Sequence, residues 1–510
     1  MFPIVLPVVV GLCALCTVFI FHIKRKDIST QRTPPGPKGL PLVGNLFHVP
    51  LKHPWIGFLR IGETYGDMTY FHGLGNSILV LNNHETMLDL LVKKGNLYCS
   101  RPYFTVACEL MDLVNSTAFA PFGKRWKLHR KLARIALSPE ALREYDGTLM
   151  DISAILNRSL AESPADFIND VRLAAGRVIM STMYGISVHS AQDPYIVRAE
   201  AAMNIISKAA IPGEFIVDLL PALKHLPTWF PFTRFHTVGT VGREMIQELV
   251  AKPFQYVKDE MAAGSSVPSF TRDALTKNEL QAERDTDETF EHAVKWAAAS
   301  MYAAGQEVIS SSVLNMIMAL ALHPEILRTA QTEIDSVVGC ERPPSIEDRH
   351  ALPYIFAIVK ETLRWHPPLP MDIPRASTED DFYNGYFIPK NTTVIPNIWS
   401  LSRAPDPDYP PENFSPERFL DTGRIHKPLS PLEYCFGFGR RICPGRGLAE
   451  NSIFLLAASI ISSFNISPAV DGNGMKIPID VQYSSGLVSL PEDFKCSIKP
   501  RDGPAISNED

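Results

Sequence analysis

Toward its C-terminal end the chain reads FGFGRRICPGRGLAENSIFLLAASII, with Cys443 between glycine-rich turns and a long apolar run. A cysteine just ahead of a helix N-terminus has its thiolate favoured by the helix dipole and by backbone N–H groups that no helical carbonyl accepts. Gly437 and Gly439, close after Phe436, let the backbone fold tightly beneath the sulfur, so Cys443 is suited to hold a metal. Two residues away, Arg441 supplies a fixed positive charge for an anionic group on whatever the sulfur binds. Cys435 lies outside this pattern and reads as a small packing residue.

Other segments place reactive or charged side chains at helical spacing. In Trp126-Lys-Leu-His-Arg130 the four-residue interval puts an indole N–H and a guanidinium on one helix face. In Glu361-Thr-Leu-Arg364 the three-residue interval lets a carboxylate and a guanidinium pair, although such a tetrapeptide arises about once by chance in a chain this long. The stretch from Ala297 onward is built of small residues that allow close approach to a flat group, and it ends in Gly305-Gln306-Glu307-Val308. Glu307 is a candidate acid, and Ser311 lies four residues later on the same helix face.

In this set and order the segments resemble the cytochromes P450, the haem-thiolate monooxygenases, over nearly the whole chain, and the proline-rich start points to membrane-anchored fungal members. The resemblance implies a mainly α fold with a small β portion. It implies haem b (iron protoporphyrin IX) seated on the Phe436 and Gly437 loop, with Cys443 as axial thiolate and metal ligand. Trp126, Arg130, Arg441 and Arg375, the last in Ile373-Pro-Arg375, are implied to reach the haem propionates. Arg418, in Pro416-Glu-Arg-Phe419, is implied to join Glu361 and Arg364 in a buried cluster. One position departs from the family pattern Ala-Gly-x-Asp/Glu-Thr: Glu307 matches the acid, but Val308 replaces the alcohol. The family's acid and alcohol order water and deliver protons during oxygen activation, so Glu307 and Ser311 become the candidate catalytic residues. Ser311 could hold a water, or the serines could simply cap backbone carbonyls.

The implied reaction puts one atom of O2 into a lipophilic small molecule, of terpenoid or polyketide type in fungal secondary metabolism, with NADPH electrons arriving through NADPH-cytochrome P450 reductase. Lys124, Lys127, Lys131 and Arg134 form a basic stripe for such a partner. The implied pocket walls are residues 103–122, Met301 with Tyr302, residues 369–373 and residues 483–487, with Phe119, Met371 and Ile373 among them. Isomerase, dehydratase or peroxide-driven chemistry is the alternative that Val308 keeps open, and a non-catalytic haem sensor is a reading from another class.

These residues need long helices to position them. Asp285 and Glu288 are expected to open one running to about Leu322; Pro324 starts the next; Pro353 starts another that stops before His366-Pro-Pro368. Short alternating runs near residues 77–81 and 392–396 predict a little strand. The expected organisation is an anchor over 1–23, a basic then proline-rich hinge over 24–44, a catalytic domain over 45–500 and a polar tail over 501–510. Residues 3–21 carry no charge and as a helix would measure roughly 28 Å, enough to span a bilayer. Lys24, Arg25 and Lys26 follow that run, which predicts a retained single-pass anchor in the endoplasmic reticulum membrane with the body in the cytosol. With 49 Lys plus Arg against 55 Asp plus Glu, a net charge of -6 gives no reason to expect a nucleic-acid partner. Eight cysteines in 510 residues cannot staple a chain this long, so an important cysteine acts singly.

Overall fold

A computed structural model describes residues 31–501 apart from 42, 277–288, 422 and 424–426. The anchor expected over 1–23, most of the tail, and the helix-opening Asp285 and Glu288 lie outside the described residues. Helices dominate, and their starts follow simple chemistry. Pro324–Val337 and Pro353–Trp365 each begin on the proline, whose missing N–H costs nothing in a first turn. The second stops at His366 because Pro367 and Pro368 cannot continue it.

The central helix, Phe290–Leu322, is capped by Thr289, whose hydroxyl accepts from the His292 N–H. It is apolar on almost every side because it is packed on almost every side, by Phe167–Tyr184 most extensively and by Lys124–Leu137, Pro194–Ala209, Arg234–Ala263 and Arg446–Ser463. Among the described residues it alone is long and apolar enough to cross a membrane, and its burial accounts for that composition.

The β portion is small and serves position. Met68–Gly73 and Asn76–Leu81 form a hairpin through Leu74 and Gly75, both at positive φ as a two-residue turn requires. Asn76–Leu81 pairs in parallel with Thr393–Pro396, and Arg375–Ala376 adds to the other side of that strand. This last pairing fixes the backbone of Arg375, whose side chain is fully buried.

Beneath the cysteine loop sits the expected charge cluster. Arg364 donates through Nε and Nη2 to the two carboxylate oxygens of Glu361 at 2.7 and 2.8 Å, a fork-on-fork pair. Arg418 Nε lies 3.4 Å from Glu361 Oε2, and its Nη1 lies 3.0 Å from Asp406, a fourth member with no signal in the sequence. Arg364 also donates to the carbonyls of Ser402, Pro411 and Asn413, and the Ser415 N–H donates to Glu361. Because Glu361 is wholly buried, removing Arg364 breaks its bidentate pair and leaves the charge in the interior with the longer Arg418 contact and the Ser415 N–H. Arg364→Met is expected to cost about 3–5 kcal/mol, read as a lowered midpoint in chemical denaturation; a midpoint equal to that of the unmodified chain would show that the cluster does not hold the fold.

Candidate active site

The loop that carries Cys443 is closed by its own backbone, since the Cys443 N–H donates to the Phe436 carbonyl at 2.8 Å. That closure needs left-handed residues at Gly437 (φ 76°) and Gly439 (φ 54°), where a side chain would be strained. A Cβ at Gly439 would also stand 2.4 Å from the Leu91 carbonyl oxygen. The residue beneath the sulfur is Gly445, where a Cβ would stand 3.9 Å from Sγ, rather than Gly437 or Gly439. Helix Arg446–Ser463 then begins, with Gly445 as its N-cap. Cys443 lies deep in the protein and is exposed to a cavity that it lines. Burial raises its thiol, while the Gly445 N–H and the Arg130 guanidinium pull the other way and favour the thiolate. Cys435 borders the same cavity, but its Sγ faces the Leu363 carbonyl at 3.6 Å, and burial pushes its thiol far up with nothing opposing.

Across the cavity from this loop runs the central helix, presenting Met301, Ala304, Gly305, Val308 and Ile309. The space between is lined largely by apolar side chains, and arginines cluster at one part of its wall. Trp126, 7% exposed, carries the Arg441 guanidinium 4.6 Å and the Arg130 guanidinium 5.8 Å from its ring centre. Arg441 donates to the carbonyls of Cys99 and Ala120 at 2.7 and 2.8 Å, and Arg130 donates to Ile442 at 2.7 Å. Arg375 donates through Nη2 to the Phe438 carbonyl at 2.9 Å, leaving Nε and Nη1 buried without a partner. A fourth guanidinium, Arg101, donates to the carbonyls of Ala118, Ile373 and Pro374. Burial, and for Arg101, Arg130 and Arg441 the repulsion of neighbouring arginines, lowers all four from the usual arginine range. Facing them is one carboxylate, Asp372, 3.3 Å from Arg375. Arginine stays charged, so such a group calls for further anions. A flat group held at one face by a sulfur and carrying two carboxylates at one edge fits these residues: that is the shape and charge of haem.

Thus Trp126, Arg130, Arg441, Phe436 and Cys443 line one cavity; Arg375 stands behind its edge; and Gly437 turns the loop beside Asp372. Arg101 and His129, the latter buried and 3.0 Å from the Thr117 hydroxyl, belong to the same cavity and were not expected. His129 could have been suspected inside the Trp126 to Arg130 segment; Arg101 has no spacing relation to anything else in the site.

The two candidate catalytic residues are placed elsewhere. Glu307 lines a separate, polar cavity on the far side of the central helix, and Val308 is the residue of that pair which faces the Cys443 side. Burial, with the Glu200 carboxylate adding to it and Arg172 opposing, pushes Glu307 up to about 7. Ser311 is not brought to Glu307's cavity: its hydroxyl donates to the Ser489 carbonyl at 3.0 Å, and of the three consecutive serines on this helix Ser310 is the one that lines that cavity. Four-residue spacing fixes a shared face but not where a hydroxyl turns. Of the implied walls, Thr117, Ala118, Met301, Leu369 and Ile373 border the cavity as expected. Others do not, Phe119 among them, which is packed in the main apolar core instead. Tyr302 donates to the Tyr195 carbonyl, Met371 packs with Trp55 and Phe71, and the tip at Ser484 to Gly486 borders the polar cavity instead.

The sequence model of the family described as Cytochrome P450 matches residues 34–496. The chain is 36% identical over 501 residues to cytochrome P450 monooxygenase claR of Ampulloclitocybe clavipes, covering 98% of this chain and 91% of that protein. It is 38% identical over 477 residues to cytochrome P450 monooxygenase COX2 of Coprinopsis cinerea, covering 93% and 90%. It is 37% identical over 495 residues to cytochrome P450 monooxygenase 208 of Postia placenta, covering 96% and 95%.

The contrast between the two cysteines is directly testable. Cys443→Ser is expected to abolish the red-shifted Soret band of the reduced carbon monoxide complex, and Cys435→Ser to keep it. The reverse pattern would move the ligand to Cys435.

Proposed function

Since the chain belongs to the cytochrome P450 family and is a monooxygenase, we propose that it is anchored in the endoplasmic reticulum membrane by its apolar N-terminus, body on the cytosolic side, and oxidises a lipophilic terpenoid or polyketide in fungal secondary metabolism. Its cofactor in this reading is haem b, its electron source NADPH, and its partner NADPH-cytochrome P450 reductase. The observation that carries the reading is the pairing of an enclosed, cavity-facing Cys443 with four clustered arginines that meet one carboxylate, Asp372, among the described residues.

Cys443 would hold the iron from one face, and Arg130, Arg375, Arg441 and Trp126 would hold the propionates, with Arg101 backing them. Haem bound there supplies the redox chemistry that activates O2. The rest falls to the chain. Ile179, Met183, Met301, Leu369 and Ile373 exclude water and accept an apolar substrate by burial. Val308 offers no hydrogen bond toward the reacting side, and in this reading the proton originates at Glu307 and reaches the cavity through water.

A neutral carboxyl donates a proton and a carboxylate does not, so product formed per NADPH should fall as pH rises through about 7. Glu307→Gln is expected to suppress product by roughly 100-fold and to remove that pH step. Val308→Thr should shift the ratio of product to released hydrogen peroxide and leave substrate affinity unchanged. One assay of NADPH consumed, peroxide released and product formed checks all three. Turnover that needs neither NADPH nor reductase would favour the isomerase, dehydratase or peroxide-driven alternative, which the apolar cavity face of the central helix also fits.

Lys124, Lys127, Lys131 and Arg134 are all exposed along one face of helix Lys124–Leu137, opposite buried Trp126 and Ala133. We assign this face to the reductase. Lys127→Glu with Lys131→Glu should slow reduction several-fold at low salt, an effect that added salt erases by screening. Substrate-induced spectral shifts should not change. Reduction at the unmodified rate in low salt would exclude this face.

A further inference from the structure

The polar cavity behind the central helix has an inner and an outer end. Gln306, Glu307 and Ser310 close its inner end and are all buried, whereas Asn204, Lys208, Glu492 and Asp493 at its rim are exposed to solvent. Helix Phe167–Tyr184 contributes Arg172, and helix Pro194–Ala209 contributes Glu200. Gly176, where a Cβ would stand 2.1 Å from Ile196 Cδ1, lets the first of these helices press against the second beside Gln306.

Two amides of the central helix, Gln306 and Asn315, are buried with neither end paired, and of the two it is Gln306 that lines this cavity. It is 1% exposed, and both its amide nitrogen and its amide oxygen lack a hydrogen-bond partner in the described protein. A buried primary amide with neither end satisfied is costly, while water in a polar cavity satisfies both ends at once. An alanine or leucine would fill the same helical position without that cost, so the amide points to ordered water.

With solvent protons reaching Glu307 through this cavity, we propose that Gln306 is the positioning residue that orders the innermost water against the Glu307 carboxyl. The inference rests on the reading that Glu307 is the proton source. A proton entering at the rim passes through water to Glu307, which gives one up toward the Cys443 side and is recharged from behind. The helix is thereby crossed at one point only, while bulk water stays out of the apolar cavity. The charged groups that face Glu307 from the surrounding elements are Glu200, Lys208, Arg172, Glu492 and Asp493. Glu200 and Arg172 act on it in opposite directions.

The test uses the full-length haem enzyme with reductase and two readouts: the pH midpoint of product formed per NADPH, and the infrared band of the protonated carboxyl that Glu307→Gln deletes. Gln306→Leu removes the dipole and the water that stabilise the carboxylate, so both midpoints should rise by about one pH unit. Glu200→Gln removes a repelling charge and should lower both; Arg172→Gln should raise both. Opposite shifts from neighbouring residues are not what general destabilisation produces. If Gln306→Leu does not assemble, the near-isosteric Gln306→Met decides, with a raised midpoint supporting the inference and an unmoved one overturning it. Unmoved midpoints in Gln306→Leu, together with a Glu307→Gln that suppresses product, overturn this inference and leave the proposed function standing. A Glu307→Gln enzyme with unchanged product and peroxide overturns both.

Discussion

The guanidiniums of Arg101, Arg130, Arg375 and Arg441 are brought out of water toward one edge of a cavity, and like charges so placed repel unless anions meet them. The chain meets them partly with backbone carbonyls from Cys99, Ala118, Ala120, Ile373, Pro374, Phe438 and Ile442, which come from three distant parts of the sequence. Each of those carbonyls must be aimed, and much of the surrounding fold does the aiming. The sheet fixes Arg375, the loop before Lys124–Leu137 supplies Ala118 and Ala120, and the cysteine loop supplies Phe438 and Ile442. Holding the arginines therefore also holds Cys443 in relation to the helix opposite. A bound dianion at that edge would relieve the remaining repulsion, so cofactor binding and stability of this region are one process.

The second constraint is the division of the central helix into two chemical faces. Small and apolar residues face Cys443, and an acid, an amide and a serine face the polar cavity. Successive helical residues point about 100° apart, which is why adjacent Glu307 and Val308 can serve opposite sides. A dry cavity strengthens electrostatic effects near the reacting centre and resists leakage, but it starves that centre of protons. Storing the acid behind the wall, in contact with water, answers both demands.

Local spacing carried much of the site into view from the sequence alone. The Phe436 to Gly445 loop, Trp126 with Arg130, and Glu361 with Arg364 are each set by a turn or by one turn of helix, so their geometry follows from the intervals between them. Arg101, Asp406, Glu200 and Arg172 join through tertiary contacts over a dozen to hundreds of residues, for which no interval exists. Ser311 illustrates the limit differently. The helix and the shared face with Glu307 were legible, yet its hydroxyl is taken by Ser489, a residue whose approach depends on how the C-terminal loop folds back. The helix starts at Pro324 and Pro353 were legible because proline acts through its own backbone.

On the proposed reading, electrons, protons and substrate approach by different elements. The basic face of Lys124–Leu137 is on the side of that helix away from Trp126, and the polar cavity opens between other helices and the C-terminal loop. A wide polar opening on the substrate side would admit protons and water together, and water there favours release of peroxide over transfer of oxygen. A chain that has given up the alcohol beside its acid has the stronger reason to meter water from behind. Val308 is therefore intelligible as part of an arrangement in which proton supply is controlled at Gln306 and Glu307 rather than at the cavity face of the helix, where the residue beside the acid presents only carbon.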